Sequence, residues 1–205
     1  MPAVETKKMS QKTIEKLEKL LAARYPHKLT VEGDFVHAAV MMILKEEPEG
    51  SSMLFIKRPD NDSDPFSGHV AFPGGKMKGE DSDKLETAVR ETREEIGIDI
   101  THSGRVLGEL DDVNPNNPRA RTYIVTPYVS ILKEEVTFTP CDQEVEEVLW
   151  VPVYHLMDKK NFKLRLRERD GVLREDYAYM YERYIIWGMT GRILRQFFTL
   201  TEHLF

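Results

Sequence analysis

The sequence has little cysteine and no large excess of one charge. Cys141 is the single cysteine among 205 residues, so no disulfide can form within the chain. The 29 basic and 35 acidic residues give a formal net charge of -6. A mildly acidic balance argues against a protein that coats nucleic acid, because that function needs a surplus of lysine and arginine. We therefore exclude a disulfide-stapled fold and expect no nucleic-acid partner.

Long apolar runs are absent as well. No stretch reaches the roughly 20 apolar residues that cross a bilayer as a helix. The first residues are polar and include lysine, without the apolar core of a secretion signal. We expect a cytoplasmic protein with no membrane partner, and we leave both a monomer and a homodimer open.

The order of apolar and polar residues predicts a mixture of helices and strands. We expect helices over residues 10–25 and 184–200, a helical turn over 153–157, and strands over 35–44, 53–58, 68–72, 105–112, 119–132 and 145–151. Asp170 and Gly171 favour a hairpin turn, and Pro127 favours an edge strand or a bulge. The length suits one domain over residues 31–205, preceded by an N-terminal tail and helix over 1–30.

Residues 74–98 are the most informative stretch. Two glycines open it, Ser82 or Asp83 can cap a helix, and Gly97 fits the left-handed residue that ends one. Apolar and small residues recur at three- and four-residue steps, which predicts a buried stripe formed by Leu85, Ala88, Val89, Thr92 and Ile96.

Three carboxylates lie beside that stripe. Glu91, Glu94 and Glu95 are spaced so that they share one surface of the helix, where like charges repel by a few tenths of a kcal/mol per pair. A hard divalent cation such as Mg²⁺ would relieve that repulsion, since it prefers oxygen ligands. The alternative is a solvated acidic face on which Arg90 pairs with Glu94.

This stretch resembles the Nudix box, G-x5-E-x7-R-E-U-x-E-E-x-G-U, in which U is aliphatic. The matching residues are Gly75, Arg90, Glu91, Glu94, Glu95, Gly97 and Ile98. The interval from Gly75 to Arg90 is one residue longer than in the pattern, so Glu80, Asp81 and Asp83 are all candidates for the lone glutamate. Thr92 occupies an aliphatic position of the pattern.

The resemblance implies an α/β fold of the α+β kind, an α/β/α sandwich around a mixed sheet over residues 31–205. It also implies hydrolysis of a nucleoside diphosphate linked to another moiety, a small-molecule substrate, and Mg²⁺ or Mn²⁺ as cofactor. The implied metal ligands are Glu91, Glu94, Glu95 and the carbonyl of Gly75. Arg90 would hold a ligand carboxylate, and Glu144 would serve as the general base or as a further ligand.

Segments outside the box resemble coenzyme A pyrophosphatases of the same family. They are residues 68–75, 144–152 and 186–190, together with the longer box. Asp64 departs from that pattern, which has an arginine there, so we expect coenzyme A to be cleaved but not exclusively. The basic candidates for substrate binding are Lys57, Arg58, Arg119 and Arg121.

Several alternatives stay open at this point. Trp187 could stack on an adenine or belong to the core. ADP-ribose and nucleotide sugars are alternative substrates. Within the family, an isopentenyl isomerase and a ligand-sensing domain without activity are two further alternatives. An isomerase would need a well-placed cysteine, which this sequence lacks. Ligand-sensing domains typically lose box carboxylates, whereas all three are present here.

Overall fold

The computed structural model describes residues 11–30, 34–64, 66–114, 123–169 and 171–204. The helices among these residues are α1 (Gln11–Ala23), α2 (Lys84–Ile96), α3 (Ile100–Ser103), α4 (Val153–Met157) and α5 (Gly188–Thr201). The strands are β1 (Val36–Glu47), β2 (Gly50–Lys57), β3 (Val70–Ala71), β4 (Gly74–Lys76), β5 (Gly104–Glu109), β6 (Tyr123–Leu132), β7 (Glu147–Pro152), β8 (Phe162–Arg169), β9 (Val172–Tyr181) and β10 (Tyr184–Ile186). No helix in these ranges is both long and apolar enough to span a bilayer.

Strand β1 is the centre of a mixed sheet. One half of β1 pairs antiparallel with β2 and the other half with β4, while β6 runs parallel along its opposite edge. The strands of this sheet follow the order β3-β2-β1-β6-β5, with β7 paired to β2. A parallel pair needs a long crossover connection, and the crossover from β1 to β6 contains α2. A second sheet has the order β10-β9-β8.

The side chains of β1 separate two apolar layers, as expected for a strand that is apolar throughout its length. On one face Ala38, Val40, Met42 and Leu44 join a core with residues of α1 and α5. On the other face Ala39, Met41 and Ile43 pack with residues of α2 and α3. Helices therefore cover both faces of a mixed sheet, which confirms the predicted α/β/α fold class.

Helix α1 packs directly on the sheet. Its Leu17 and Leu21 are buried in the core, and a Cβ at Gly108 would lie 2.7 Å from the Cβ of Leu21. Arg24 follows the helix and binds both Asp111 and the carbonyl of Glu109. The predicted division of the chain at residue 30 stays a prediction.

Two predicted elements were wrong in detail. Residues 184–200 do not form one helix, because 184–186 pair as β10 with β9 and α5 begins only at Gly188, whose φ is +65°. Pro127 does not lie on an edge, because β6 pairs with both β1 and β5. The pairing of β5 with β6 does shift register, but the shift lies between Val106 and Gly108 on β5 and not at Pro127.

Other predicted elements hold with shorter or longer bounds. The strand expected over 68–72 covers only Val70–Ala71, and the one expected over 119–132 is described from Tyr123. The hairpin expected near residue 170 is confirmed by the antiparallel pairing of β8 and β9. Asp170 lies outside the described residues, and Gly171 has a φ of +73°, as a hairpin turn favours.

Candidate active site

Helix α2 is fixed at both ends as its sequence predicts. Asp83, one of the two cap candidates, accepts a hydrogen bond from the amide of Glu86 at 2.8 Å. Gly97 ends the helix with a φ of +77°. Its missing Cβ leaves room for Thr139, whose side chain lies where that atom would be. The stripe is confirmed, since Ala88, Thr92 and Ile96 are buried and Leu85 and Val89 pack against them.

The C-terminal end of α2 also positions the loop that carries Glu144. The amide of Thr139 donates to the carbonyl of Ile96 at 3.0 Å, and the amide of Cys141 donates to the carbonyl of Glu95 at 2.9 Å. The amide of Glu144 then donates to the carbonyl of Cys141, which closes a turn. A residue almost fifty positions away from α2 is thereby held over its acidic surface.

Glu91, Glu95 and Glu144 form one carboxylate cluster. One oxygen from each lies within 4.8 Å of the other two. Glu95 is 1% exposed, Glu91 is 9% exposed and Glu144 is exposed to solvent. The structure thus brings together three of the predicted site residues, two from the helix and one from the downstream loop.

Burial dominates the electrostatics of this cluster. It raises the pKa of Glu95 to about 8, against the opposing effects of the Gly74 amide and of Arg58. The neighbouring Glu91 and Glu144 raise it further. Burial also raises the pKa of Glu91, although the Arg90 guanidinium opposes this. The cluster therefore resists holding three negative charges without a cation.

The glycine turn supports the cluster with its backbone. The amide of Gly74 donates to Oε2 of Glu95 at 2.8 Å. Gly74 has a φ of +151° and lies against the backbone of β1, so a side chain has no room there. A Cβ on Gly75 would lie 2.5 Å from the carboxylate of Glu91. Both glycines let the main chain approach the acidic side chains closely.

Arg90 is held by a buried aspartate. Its Nε and Nη2 donate to the two oxygens of Asp81 at 2.8 and 2.9 Å, and its Nη1 donates to Glu91 at 2.6 Å. Asp81 also accepts from Thr87, and the Arg90 guanidinium lowers its pKa well below the usual range. Arg90 therefore orients Glu91 through a bidentate ion pair with Asp81.

Asp81 is the one of the three candidates for the lone acidic residue that binds Arg90 in the described part of the chain. Among the three candidates it is the buried one, while Glu80 is exposed and Asp83 caps α2. The sequence does contain a signal for Asp81. It is the sixth residue after Gly75, and the lone glutamate of the Nudix box is the sixth residue after the first glycine. Counting backward from Arg90 gives a different residue, so spacing alone could not decide.

Comparison with known proteins agrees with this geometry. A family model of the NUDIX domain matches residues 36–171. The chain belongs to the Nudix family. An uncharacterised Nudix hydrolase, NudL, of Yersinia enterocolitica is 33% identical over 160 residues, which are 78% of each chain. The NudL of Yersinia pestis strain Pestoides F is 32% identical over 160 residues, 77% of this chain and 76% of the relative.

The fold agrees as well. A MutT/nudix family protein from Enterococcus faecalis superposes with a TM-score of 0.54 and 19% identity, over 92% of this chain and 69% of that one. These relatives identify the chain as a Nudix pyrophosphohydrolase. The resemblance to the coenzyme A subfamily stays a prediction.

The carboxylate cluster of this Nudix enzyme fits a hard divalent cation. Nudix hydrolases generally use divalent metal ions, and the cluster offers converging carboxylate oxygens, the donors that such ions prefer. The absence of a side chain on Gly75 lets the carboxylate of Glu91 lie where a Cβ would clash with it. The structure therefore supplies the ligand type that such an ion needs.

Glu94 lies apart from the three clustered carboxylates. Its side chain is 44% exposed and pairs with Arg90 at 3.0 Å and with Lys78 at 3.2 Å. The predicted role of Glu94 as a metal ligand stays a prediction, and so does that of the Gly75 carbonyl. The pairing with Arg90 is the contact that a solvated acidic face would also make.

Two of the four basic residues predicted to bind substrate already have acidic partners. Arg58 donates twice to Oδ2 of Asp64, at 3.0 and 2.8 Å, and its Nη1 lies 3.7 Å from Oε1 of Glu95. Lys57 binds Glu146 at 3.0 Å. The sequence indicated Asp64 as a departure but not as the partner of Arg58. Arg119 and Arg121 lie outside the described residues.

Proposed function

We propose that this enzyme hydrolyses the pyrophosphate bond of a nucleoside diphosphate linked to another moiety, with Mg²⁺ or Mn²⁺ bound by Glu91 and Glu95 beside Glu144. The observation that carries the proposal is the convergence of these three carboxylates, with Glu95 fully buried. A bound cation would neutralise the phosphate oxygens and lower the pKa of the attacking water.

The protein side chains divide the remaining work. Glu95 is held by the Gly74 amide and Glu91 by Arg90, so both carboxylates are fixed before substrate arrives. Asp81 keeps Arg90 in place through two parallel hydrogen bonds. Fixed ligands lower the cost of reorganisation during the reaction.

Glu144 is our choice for the general base. It is the exposed member of the cluster and can therefore reach a water molecule as well as the buried carboxylates. Its pairing partners in the loop are backbone groups, so its carboxylate is not tied by the hydrogen bonds that fix the loop. Glu144 would take the proton of the attacking water while Glu91 and Glu95 remain ligands.

Coenzyme A and its derivatives are slightly favoured as substrates, on the resemblance of residues 68–75, 144–152 and 186–190. ADP-ribose and nucleotide sugars are the alternative, and the pairing of Arg58 with Asp64 favours them. Coenzyme A carries an extra 3′-phosphate that needs a cation, whereas Arg58 and Lys57 are already paired. We expect hydrolysis of coenzyme A to 3′,5′-ADP and 4′-phosphopantetheine, with dephospho-coenzyme A and ADP-ribose cleaved comparably.

Steady-state rates with these three substrates, each with Mg²⁺ and with Mn²⁺, test the proposal. Glu144→Gln should lower kcat by about 100-fold or more, while Glu146→Gln, a change of the same kind two residues away, should leave it nearly unchanged. Equal loss in both variants would remove the assignment of the base. A strong preference for coenzyme A would show that the Asp64 pairing does not limit its binding, and no cleavage of coenzyme A would remove the subfamily prediction.

A further inference from the structure

A row of aromatic side chains is linked to the carboxylate cluster through Arg58 and takes no part in the proposed chemistry. Ring centroids are 6.4 Å apart for Tyr123 and Phe66, 6.2 Å for Phe66 and His69, and 4.7 Å for His69 and Trp187. All four side chains are only partly buried. Large aromatic side chains that stay partly exposed next to one another mark a binding surface more often than isolated ones do.

No pair of rings within the row is stacked in parallel. Phe66 meets Tyr123 at an interplanar angle of 86° and His69 at 71°, both in edge-to-face contacts, and His69 is tilted by 51° against Trp187. Phe66 and His69 also keep part of their surface exposed to solvent. That exposed aromatic surface can receive a planar ligand.

The middle of the row and its Tyr123 end are joined to segments that build the active site. The amide of Arg58 donates to the carbonyl of His69 at 2.9 Å, and the amide of Phe66 donates to Oδ1 of Asp64 at 2.9 Å. The Arg58 side chain in turn reaches Glu95. At the Tyr123 end Lys76, which follows the glycine turn, places its Nζ 5.6 Å from the centre of the Tyr123 ring.

We infer that Phe66 and His69 form the surface on which the nucleobase of the substrate stacks. This inference rests on the proposed function, since it assigns the nucleoside part of a substrate whose diphosphate lies at the carboxylate cluster. A base is planar and aromatic, and stacking on aromatic side chains does not depend on its hydrogen-bonding pattern. The row would therefore select nucleoside diphosphates over diphosphates that lack a base.

The histidine is suited to this role by its charge state. Burial is the main cause that lowers the pKa of His69, and the nearby Arg58 and Lys57 act in the same direction, while Asp64 opposes them. This shift favours the neutral form of the ring. A neutral imidazole stacks on a base without attracting unrelated anions.

Binding without turnover provides the first test. The chain has two tryptophans, so a Trp150→Phe background leaves Trp187 as the single reporter, 4.7 Å from His69. AMP titrated in EDTA should quench its fluorescence to saturation, whereas ribose 5-phosphate, which has the same phosphate and sugar but no base, should not. Equal responses to both compounds, or no response to AMP, would overturn the inference.

Kinetics with matched variants provide the second test. His69→Leu and Phe66→Leu keep apolar volume and remove the aromatic face, so each should raise KM about five- to a hundredfold with kcat nearly unchanged. The control is Tyr25→Leu, which removes an aromatic side chain that is 99% exposed and outside the row. Because two variants are measured, the test does not depend on one that fails to fold. An unchanged KM in the variants that fold would contradict the inference.

The two tests separate this inference from the proposed function. Quenching by AMP without hydrolysis of any diphosphate would leave the base site standing and refute the proposed activity. Hydrolysis with no effect of AMP on Trp187, and no change of KM in either leucine variant, would refute the base site and leave the activity standing.

Discussion

Replacing Glu95 by glutamine should stabilise the metal-free enzyme and abolish most of its activity. Glu95 is 1% exposed, and burial raises its pKa from 4.5 to about 8. Glutamine keeps the shape of the side chain and an oxygen that can accept the hydrogen bond from the Gly74 amide, but it cannot ionise. The variant therefore removes a buried charge while the surrounding contacts stay in place.

The pH dependence of this effect has a defined sign. Because the pKa of Glu95 is higher in the folded state, ionising it costs folding free energy. The cost is absent below about pH 4.5, grows as the pH rises and levels off above about pH 8. Each unit of difference between the two pKa values corresponds to about 1.4 kcal/mol. Ionising Glu95 in the folded state therefore costs at most about 5 kcal/mol of folding free energy. For a chain of this size 1 kcal/mol shifts the melting temperature by about 2–4 °C, so we expect the variant to melt above the wild type by at most about 20 °C.

Thermal melts in EDTA at pH 5.5 and pH 8.5 measure the effect. The wild type should melt lower at pH 8.5 than the Glu95→Gln variant, and the difference should shrink at pH 5.5. Glu94→Gln is the matched control, since that carboxylate is 44% exposed and its loss removes only surface ion pairs worth about 1 kcal/mol or less. Added Mg²⁺ should raise the melting temperature of the wild type more than that of Glu95→Gln. A Glu95→Gln protein that is no more stable at pH 8.5, or that keeps near-normal turnover, would refute this reasoning.

Three further substitutions, with Gly79→Ala as a control, test other parts of the site. Arg90→Lys should lose activity about 10- to 100-fold, because a lysine cannot form the two parallel bonds to the buried aspartate; wild-type rates would show that the guanidinium is not needed. Gly75→Ala should fold, because the nearest atoms that its Cβ would meet belong to the carboxylate of Glu91, but displacing that ligand should weaken Mg²⁺ binding in calorimetry. Gly79→Ala, with open space around its Cβ, should bind normally, and equal affinities in the two variants would contradict this. Asp64→Arg should raise the ratio of kcat/KM for coenzyme A to that for dephospho-coenzyme A about tenfold. An unchanged ratio would show that Asp64 does not determine the preference between these two substrates.

Local signals in the sequence were sufficient for helix α2. Its cap at Asp83, its end at Gly97 and its buried stripe follow from residue types at fixed spacings. Glu91 and Glu95 could be placed on one surface for the same reason. Helical spacing also put Glu94 on that surface, but it could not show that Arg90 and Lys78 would attract this carboxylate.

Features that depend on distant contacts could not be predicted in this way. The identity of the buried acidic partner of Arg90 depends on how the loop before α2 folds, and Asp81 lies nine residues from Arg90. The pairing of Arg58 with Asp64 depends on a polar loop with no periodic pattern. Residues 184–186 have a helical pattern together with the residues after them, and only their pairing with β9 makes them a strand.

Glu144 shows where a resemblance adds to local reasoning. Its acidic loop has no feature that distinguishes it from a solvated surface. Backbone bonds from Thr139 and Cys141 to the end of α2 bring it to the cluster. Those contacts join segments more than forty residues apart, which no spacing rule covers.

The most direct test of the central claim is an anomalous difference map from crystals soaked in Mn²⁺. The account predicts a peak bounded by the carboxylates of Glu91, Glu95 and Glu144, and a much weaker peak in crystals of Glu95→Gln. A peak at another group of residues, or a peak of equal height in both proteins, would contradict it.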